Sequence, residues 1–437
     1  MLNSNKIERG KIKMIKEKVY YFIKLKTDSP LSIGNGIEEI TDNDILRDSE
    51  GKPFIPATSL AGVMLHYLDK DEQKIFIPSR NSDSMLSPYF ISDAELVKSS
   101  GISIRDGIKV DIDKVTVDGA KYNVEILEAG AEFEFRVEIT IRDNDDQDKM
   151  KEIMDKIFVN INAGNILIGS KSTRGFGKIH IIECYKKEFN QKNLPELVDF
   201  NKFNCNEYEK YEFKTKNIDE KYDTIKVSLK QLGGLNIRSY SAKADDVDYR
   251  TIRSNEVPVI PGTSWNGVLR RQVSYYNSRL EEKNYKYNID EWFGYADEKE
   301  SRASSIIIEE SRIENYKTFR LTRNKIDRFS GGSADSALFN EELVFNGETL
   351  LTIKIKKELN GKDNSYILGL FALVIKDIAN GLLAVGGQTA IGRGILEVKK
   401  IQINNEFINL NKSEENIKSL DDYIFKMYEV ARNLKEE

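Results

Sequence analysis

The alternation of apolar and polar residues divides this chain into two halves with the same order of elements. Residues 19–26 and 224–230 each alternate as a half-buried strand would, and a glycine-containing turn follows each of them. Each half continues with a helical pattern, two strands, an amphipathic helix (residues 148–161 and 365–381) and a last strand. This order predicts an α+β chain of two tandem ferredoxin-like βαββαβ domains with long hairpin insertions.

A strand–turn–helix segment that occurs twice sets the register between the halves. Residues 53–65 read PFIPATSLAGVML, and residues 258–270 read PVIPGTSWNGVLR. The apolar run in each copy ends at Ile-Pro, and Thr-Ser opens the helical pattern. We expect Ser59 and Ser264 to cap the two helices, at a place where backbone N–H groups can bind a phosphate.

The predicted domain boundaries lie where this periodicity weakens. Residues 1–185 form the first predicted domain, and residues 221–437 form the second, which ends in a surface helix over 413–437. Residues 186–220 are rich in Lys, Asn, Glu and Tyr and have few regular apolar periods. We therefore interpret them as a linker or peripheral segment.

Composition and charge limit the possible functions. No apolar run approaches the roughly 20 residues of a membrane-spanning helix, so we expect a cytoplasmic protein without a membrane partner. Two cysteines without a CxxC pair exclude a disulfide framework, and two histidines exclude most His-based catalysis. The net charge of −5 argues against bulk nucleic-acid binding, although 66 Lys and Arg residues can form a local basic groove.

In each half, one glycine-rich loop precedes the last strand. Residues 169–177 and 386–394 allow backbone to approach a phosphate or a base closely. Lys171, Arg174 and Arg393 would supply positive charge there. Spacing alone favours equally a conformationally demanding turn before an edge strand.

The hairpin insertions of the two halves differ in composition. The second alternates cations with Phe319, Ile326 and Phe329, which suits phosphates and unstacked bases; a solvated loop is the alternative. In the first, Asp118-Gly119 predicts the turn of a hairpin. The cations of the second insertion are Arg320, Arg323, Lys325 and Arg328.

These segments together resemble the RAMP superfamily, in particular the backbone subunits of type III CRISPR effector complexes. The matching pieces are the IPxTS turn–helix, WFG at 292–294, IDRFSGGSADSALF at 326–339 and GGQTAIGRG at 386–394. The resemblance covers nearly the whole chain except the linker and tail. With two such domains, the chain is similar to the double-domain subunits of type III-D-like systems. It implies RRM-like palms that stack along a guide RNA, and hairpin thumbs that kink the guide–target duplex.

The resemblance also implies a cleavage site. Cleaving subunits of the family carry an aspartate in the loop before the turn–helix, and aligning LRD at 46–48 with IRS at 252–254 places Asp42 and Asp248 there. Each carboxylate would hold Mg²⁺ or another divalent cation, or help to remove a proton, while target RNA is cleaved. Without the resemblance, such Asp-rich loops are ordinary solvated turns. The acidic neighbours are Asp44, Asp48, Asp245 and Asp246.

The family commonly has a Lys or Arg soon after the serine of the turn–helix, whereas Ala61 and Asn266 stand there in this chain. We expect Arg270 and Arg271 to compensate in the second helix. The RNA-binding residues implied by the resemblance come from the helices, the glycine loops and the second insertion. They are Ser59, Ser264, Arg270, Arg271, Lys171, Arg174, Gly175, Gly177, Arg323, Arg328, Gly386, Gly387, Gly392 and Arg393.

Three functions remain open at this stage. The first is a backbone subunit that binds CRISPR guide RNA, target RNA and other subunits, and cleaves the target at Asp42 and Asp248. The second is a purely structural subunit with both loops acidic by chance. The third is a guide-processing endoribonuclease of the same superfamily, although such enzymes often use a His or Tyr/Lys site and we assign no role to His66 or His180.

Overall fold

In the computed structural model, most of the chain forms two domains. A further segment lies between them in the sequence. The described residues are 14–36, 41–77, 87–110, 116–213, 221–240, 247–281, 288–296, 300–334, 338–357, 363–412 and 417–433. Within these ranges, no helix is long and apolar enough to cross a membrane.

The first domain is built on one antiparallel sheet. Its elements are β1 (Ile15–Thr27), α1 (Ala57–Tyr67), α2 (Lys70–Phe76), β2 (Tyr89–Ile91), β3 (Glu95–Lys98), β4 (Ile102–Val110), β5 (Thr116–Leu127), β6 (Glu132–Arg142), α3 (Gln147–Asn162), β7 (Ile179–Asn190) and β8 (Glu209–Lys210). The sheet order is β2–β6–β1–β7–β8, with β3 also paired to β6, and β4–β5 forms a separate hairpin. The four strands β2–β6–β1–β7 have the order of a ferredoxin-like βαββαβ fold.

The second domain repeats this plan. Its elements are β9 (Tyr222–Gln231), β10 (Arg238–Tyr240), β11 (Tyr249–Thr251), β12 (Arg253–Ser254), β13 (Val257–Ile260), α4 (Gly262–Glu281), α5 (Asp290–Phe293), β14 (Tyr295–Ala296), β15 (Ser301–Arg302), β16 (Ile306–Ile308), β17 (Ser311–Glu314), β18 (Lys317–Arg323), β19 (Phe339–Phe345), β20 (Glu348–Lys356), α6 (Ser365–Ala379), β21 (Leu396–Ile403), β22 (Glu406–Ile408) and α7 (Leu420–Asn433). Strands β16 and β17 pair with β20, followed by β9 and β21, while β18 and β19 extend into a smaller sheet with β10 and β11. The predicted pair of ferredoxin-like domains is confirmed.

Period-two alternation along β1 explains how the first sheet is covered on both faces. Tyr21 and Ile23 are buried in the core that contains α1 and α3. Tyr20 and Phe22, one residue out of phase, are buried in an aromatic cluster on the opposite face. Both faces of the sheet are therefore dry, which fits the nearly continuous apolar run of this strand.

The segment interpreted as a linker or peripheral segment covers the second face of this sheet. Strand β7 continues through the expected boundary at residue 185, and β8 pairs with it at Tyr185 and Lys186. Phe189, Phe200 and Tyr208 pack on the outer face of the sheet. Residues 186–213 therefore belong structurally to the first domain, whereas residues 214–220 lie outside the described residues.

Two local expectations were wrong. Ser59 does not cap α1, because the helix begins at Ala57, whose N–H donates to the Asp93 carboxylate (2.6 Å). Ser264 likewise lies inside α4. Asp118-Gly119 is not the hairpin turn, because it lies within β5, opposite an irregularity in the β4–β5 register.

The two domains meet head to tail through the first glycine loop. Its 3₁₀ turn Ser172–Arg174 lies against β16 and the start of α4. A Cβ on Gly175 would lie 2.5 Å from the Glu310 nitrogen, and a Cβ on Gly262 would lie 2.2 Å from the Arg174 carbonyl oxygen. Only glycine at these two positions permits this approach of the two backbones.

A buried ion pair accompanies this backbone contact. Arg105 of β4 reaches across the interface and donates to Glu310 (2.6 Å), with both side chains less than one-tenth exposed. Burial raises the pKa of Glu310, and the Arg105 charge opposes that rise. Glu128, beside Arg105, accepts from the Ser254 hydroxyl of the second domain (2.6 Å). The hairpin β4–β5 is thus fixed to the second domain as well as to its own.

Replacing Arg105 with alanine should destabilise the chain by about 3 kcal/mol, because Glu310 would remain buried without its cation. The measurement is denaturant unfolding at neutral pH. The control is Lys52→Ala, which breaks an exposed ion pair with Glu50 and should leave the free energy of unfolding nearly unchanged. Equal effects of the two substitutions would contradict the assignment of Arg105 to the domain interface.

Candidate functional site

The loop before each turn–helix is held by the same ion pair in both domains. Arg47 donates to Glu125 of β5 (2.5 Å), and Arg253 donates to Glu342 of β19 (2.8 Å). Both pairs join the loop to the strand that leads out of the hairpin insertion. The two loops can therefore be superimposed residue by residue from these arginines.

Asp42 and Asp248 each lie five residues before that arginine. The Asp42 carboxylate accepts from the backbone N–H of Asn123 on β5 (2.7 Å), and the Asp248 carboxylate accepts from the backbone N–H of Asn340 on β19 (2.7 Å). Both aspartates are exposed. The structure thus places them in equivalent positions, each at the base of a hairpin with its carboxylate held by one backbone bond.

The acidic neighbours in the first loop do not join Asp42. Asp44 is buried and accepts from the Thr41 backbone and hydroxyl, whereas Asp48 accepts from backbone N–H groups of its own turn. Asp245 and Asp246 lie outside the described residues. Within the described part of the chain, no three His, Cys, Asp or Glu side chains are grouped as a metal site. Asp42 therefore fits only a cation that takes its other ligands from water and phosphates, as magnesium does.

Lys171 lies close enough to Asp42 for its pKa to be affected by that charge. It opens the 3₁₀ turn of the glycine loop with a left-handed φ of 54°, and its ammonium stands 4.0 Å from the ring centre of Tyr122. Burial lowers the pKa of Lys171 to about 8, and the Asp42 charge partly opposes that change. A carboxylate and an unusually acidic lysine thus share one edge of the first domain.

The second domain carries the same loop with different side chains. Gln388, with a left-handed φ of 59°, stands where the first domain has Lys171. Arg393, at the position of Phe176, is buried and makes two bonds to Glu341 (2.6 and 2.8 Å). These bonds lower the pKa of Glu341. Contact between Arg393 and RNA stays a prediction, and it would have to compete with this ion pair.

The glycine loops have a backbone requirement of their own. Gly177 and Gly394 both have a φ of 76°, and a Cβ at either would lie 1.9 Å from a carbonyl oxygen, of Ile168 and Val385 respectively. A turn internal to each domain therefore accounts for these two glycines. Contact of the loop glycines with RNA stays a prediction for Gly175, Gly177, Gly386, Gly387 and Gly392.

Two arginines approach each other across the domain interface. The Nη1 atom of Arg174 is buried without a hydrogen-bond partner. Burial lowers the pKa of Arg174, and the charge of Arg270 lowers it further. Arg270 is bonded to Asp290 (2.6 Å), and Arg271 is half-buried on the same helix. An anion beside Arg174 would satisfy the unpaired donor and screen the two like charges.

The second insertion ends in an ordered, exposed tip. Asp327 accepts from the backbone N–H groups of Phe329 and Ser330 (both 2.8 Å), and Phe329 is fully exposed. Arg328 is exposed beside it, while Arg323 bonds to Glu341 at the base (3.0 Å). In the first insertion, exposed isoleucines line one face of β4: Ile102, Ile104 and Ile108.

Sequence reasoning missed the residues that hold the two aspartates. Tyr122-Asn123 and Phe339-Asn340 form an aromatic–Asn pair repeated in both halves. A few residues after each pair, the same strand forms a β-bridge with the first glycine-containing turn of its domain. That repeat is visible in the sequence, and it could have been found by aligning the two insertions from their C-terminal ends.

Comparison with known proteins agrees with this duplicated architecture. A sequence model of the RAMP superfamily matches residues 24–180 and again 235–397, together well over half of the chain. The chain is a member of the RAMP superfamily. It is also similar to the CRISPR system Cms endoribonuclease Csm3 of Methanocaldococcus jannaschii, with 25% identity over 203 residues that cover 38% of this chain and 77% of that protein. Each half of the chain is thus one RAMP domain.

Removing the Asp42 charge should lower the pKa of Lys171 further below about 8, because that carboxylate is the charge that favours the protonated lysine. The measurement is an NMR titration of the Lys171 side chain in the Asp42→Asn variant, with Lys171→Arg used to assign the signal. Asp48→Asn is the matched control, since Asp48 is exposed and bonded within its own turn. An unchanged titration in Asp42→Asn would contradict the proximity of the two groups.

Proposed function

We propose that this RAMP protein is a guide-RNA-binding backbone subunit of a type III CRISPR ribonucleoprotein, and that each domain cleaves guide-paired target RNA. The family and the similarity to Csm3 support the type of complex. The observation that carries the proposal is the pair of equivalent aspartates, each held by a backbone N–H at the base of a hairpin insertion. Two such domains side by side would present one aspartate carboxylate each, at a fixed interval along a bound RNA strand.

Guide binding uses the cations at the domain interface. Arg174, with an unpaired buried donor, and the nearby Arg270 form a seat for a phosphate. Because the seat draws on both domains, a single RAMP domain would lack it.

The insertions act as wedges that separate bases. Phe329 stands fully exposed on a tip that Asp327 keeps ordered, next to the exposed Arg328. An aromatic ring stacks on an unpaired base, and the neighbouring cation contacts the backbone. In the first domain, the isoleucine face of β4 takes this role without an aromatic residue.

The proposed cleavage in the first domain takes place at Asp42. The 2′-hydroxyl of the target attacks the adjacent phosphorus, its proton passes to a base, and the P–O5′ bond breaks as the O2′–P bond forms. Asp42 accepts that proton directly or through a water bound to a divalent cation. Such a cation would be held by Asp42 and the target phosphate, and would neutralise developing negative charge. Lys171, whose pKa is about 8, donates a proton or hydrogen bond to the leaving oxygen.

The two sites should differ in rate. Gln388 stands at the position of Lys171 in the second domain, so this glycine loop supplies no equivalent acid for Asp248. Loss of a general acid typically costs about 10²-fold or more in rate. We therefore expect the cut made by the first domain to be the faster of the two.

In the assembled complex, Asp42→Ala and Asp248→Ala should each abolish one cut in the target while leaving guide binding intact. The measurement is the ladder of products from an end-labelled target RNA. Asp48→Ala is the control, since its carboxylate accepts from backbone N–H groups of its own turn. If the double variant still cuts at every position, the chain is the structural subunit of the alternative hypothesis and cleavage lies elsewhere.

We expect neighbouring subunits of the complex to bind at the two ends of this double-domain unit. They would use the same kind of contact that joins its own two domains. Leu382 and Ile391 are exposed at the positions where the first domain presents Asn165 and Arg174 to the second. An apolar pair at this end favours a neighbouring RAMP domain with an apolar receiving surface. Heterologous contacts of this kind continue from one unit to the next without closing.

Changing Leu382 and Ile391 to glutamate should reduce co-purification of the adjacent subunit at least tenfold, because two charges would be buried in the new contact. The measurement is a tagged pull-down from the native host with guide RNA quantified in parallel. Phe425→Glu, on the exposed face of α7, is the control. Equal recovery of neighbouring subunits with all three proteins would exclude this surface.

A further inference from the structure

A carboxylate that the proposed cleavage does not use lies one residue from the contact that holds the second aspartate. Glu341 of β19 follows Asn340, whose N–H donates to the Asp248 carboxylate (2.7 Å). Its partner in the parallel pairing of β11 with β19 is Tyr249, the residue after Asp248. The Glu341 side chain is fully buried. The residues next to both members of the Asp248 contact thus meet at this buried position.

Three separate segments converge on the Glu341 carboxylate. Arg393 of the second glycine loop makes two bonds to it (2.6 and 2.8 Å), and Arg323 of β18 makes a further contact (3.0 Å). Asn236, between β9 and β10, donates to it from its side-chain amide (3.4 Å). The Asn236 carbonyl in turn accepts from the N–H of Gly387 in the glycine loop (2.8 Å). Glu341 therefore joins the hairpin insertion and the glycine loop to one position of β19.

The first domain fills the same position with apolar side chains. Val124, one residue after the Asn123 that holds the first aspartate, stands at the position of Glu341. Phe176 stands at the position of Arg393, and it lies with Val124 in one buried cluster. Each domain therefore joins this strand to its glycine loop through the same two positions. The joint is apolar in the first domain and a buried ion pair in the second.

The joint is present in both domains although its chemistry differs. A charged residue at either position would be buried without a partner if the other were apolar, so the two residues can be exchanged only as a pair. Stability alone does not require the ion pair, because an apolar pair closes the same position in the first domain. What the two joints share is their place, next to the asparagine whose N–H holds an aspartate.

We propose that Glu341 is a positioning residue for Asp248: it fixes β19 beside Asn340, so that the Asn340 N–H holds the Asp248 carboxylate at the base of the insertion. Glu341 does not contact the target itself, since its carboxylate is buried against Arg393 and Arg323. The inference rests on the proposed function for its effect on cleavage. Its effect on the Asp248 contact can be measured without RNA.

The first test uses the assembled complex and an end-labelled target RNA. Glu341→Gln keeps the shape of the side chain and removes the charge that pairs with Arg393. It should reduce the ratio of the second-domain cut to the first-domain cut at least tenfold and leave guide binding unchanged. The first-domain cut in the same target is the internal reference. Glu406→Gln, which removes an exposed carboxylate of β22 paired with Lys418, is the control and should leave the ratio unchanged.

The second test follows hydrogen exchange of the Asn340 backbone N–H in the full chain without RNA. Exchange of this N–H should be faster in Glu341→Gln and approach the rate in Asp248→Ala, because the bond to the Asp248 carboxylate is weakened. The N–H of Leu351, in the core of β20, should keep its rate. A role of Glu341 in global stability alone would speed exchange at Leu351 as well.

A double variant tests the joint independently of its charge. Glu341→Val/Arg393→Phe installs the apolar pair of the first domain. It should restore the slow exchange of the Asn340 N–H and the second-domain cut, because the strand is again joined to the glycine loop. Glu341→Val alone should behave like Glu341→Gln, since it leaves Arg393 buried without its carboxylate.

The outcomes separate this inference from the proposed function. An unchanged ratio of cuts or an unchanged Asn340 exchange rate in Glu341→Gln would overturn it, as would a double variant that performs no better than Glu341→Gln. Equal acceleration of exchange at Asn340 and Leu351 would also overturn it. If the wild-type complex makes neither cut, the proposed function fails, and the Asn340 exchange rates still decide whether Glu341 positions Asp248.

Discussion

The contact between the first glycine loop and the start of α4 determines the arrangement of the rest of the molecule. Gly175 and Gly262 let two backbones approach to a distance that any side chain would prevent. Because the loop lies there, Arg105 reaches Glu310 and Arg174 lies near Arg270. The pair of Arg105 with Glu310 and the approach of Arg174 to Arg270 therefore depend on the double-domain architecture.

The two domains share a frame but have diverged in their chemistry. Both hold an aspartate through an asparagine N–H, and both place a left-handed residue at the start of the 3₁₀ turn. In the first domain that residue is Lys171, with a pKa of about 8. In the second it is Gln388. The cation of that loop, Arg393, is paired with Glu341 of the same domain. Among the described residues, the first site thus combines a carboxylate with a lysine, and the second has an uncharged glutamine at the lysine position.

Much of the fold is predictable from the sequence because it depends on local periodicity and on internal repetition. The alternation around residues 19–26 and the two IPxTS segments predict both ferredoxin-like domains and the register of Asp42 and Asp248. What escaped prediction depends on distant contacts. Asn123 is 81 residues from Asp42 in the sequence. The aromatic side chains of residues 186–213 have no periodic spacing, because each of them packs separately on the sheet. The buried pairing of Arg393 required knowing where Glu341 lies.

The central claim is that this chain lies along a guide RNA within a larger complex. The most direct test is to purify the tagged protein from its native host and to sequence the RNA that accompanies it. The account predicts a set of short RNAs that share one repeat-derived 5′ end and differ in length at the 3′ end. Recovery of no RNA, or of a broad sample of cellular transcripts without a common end, would contradict it.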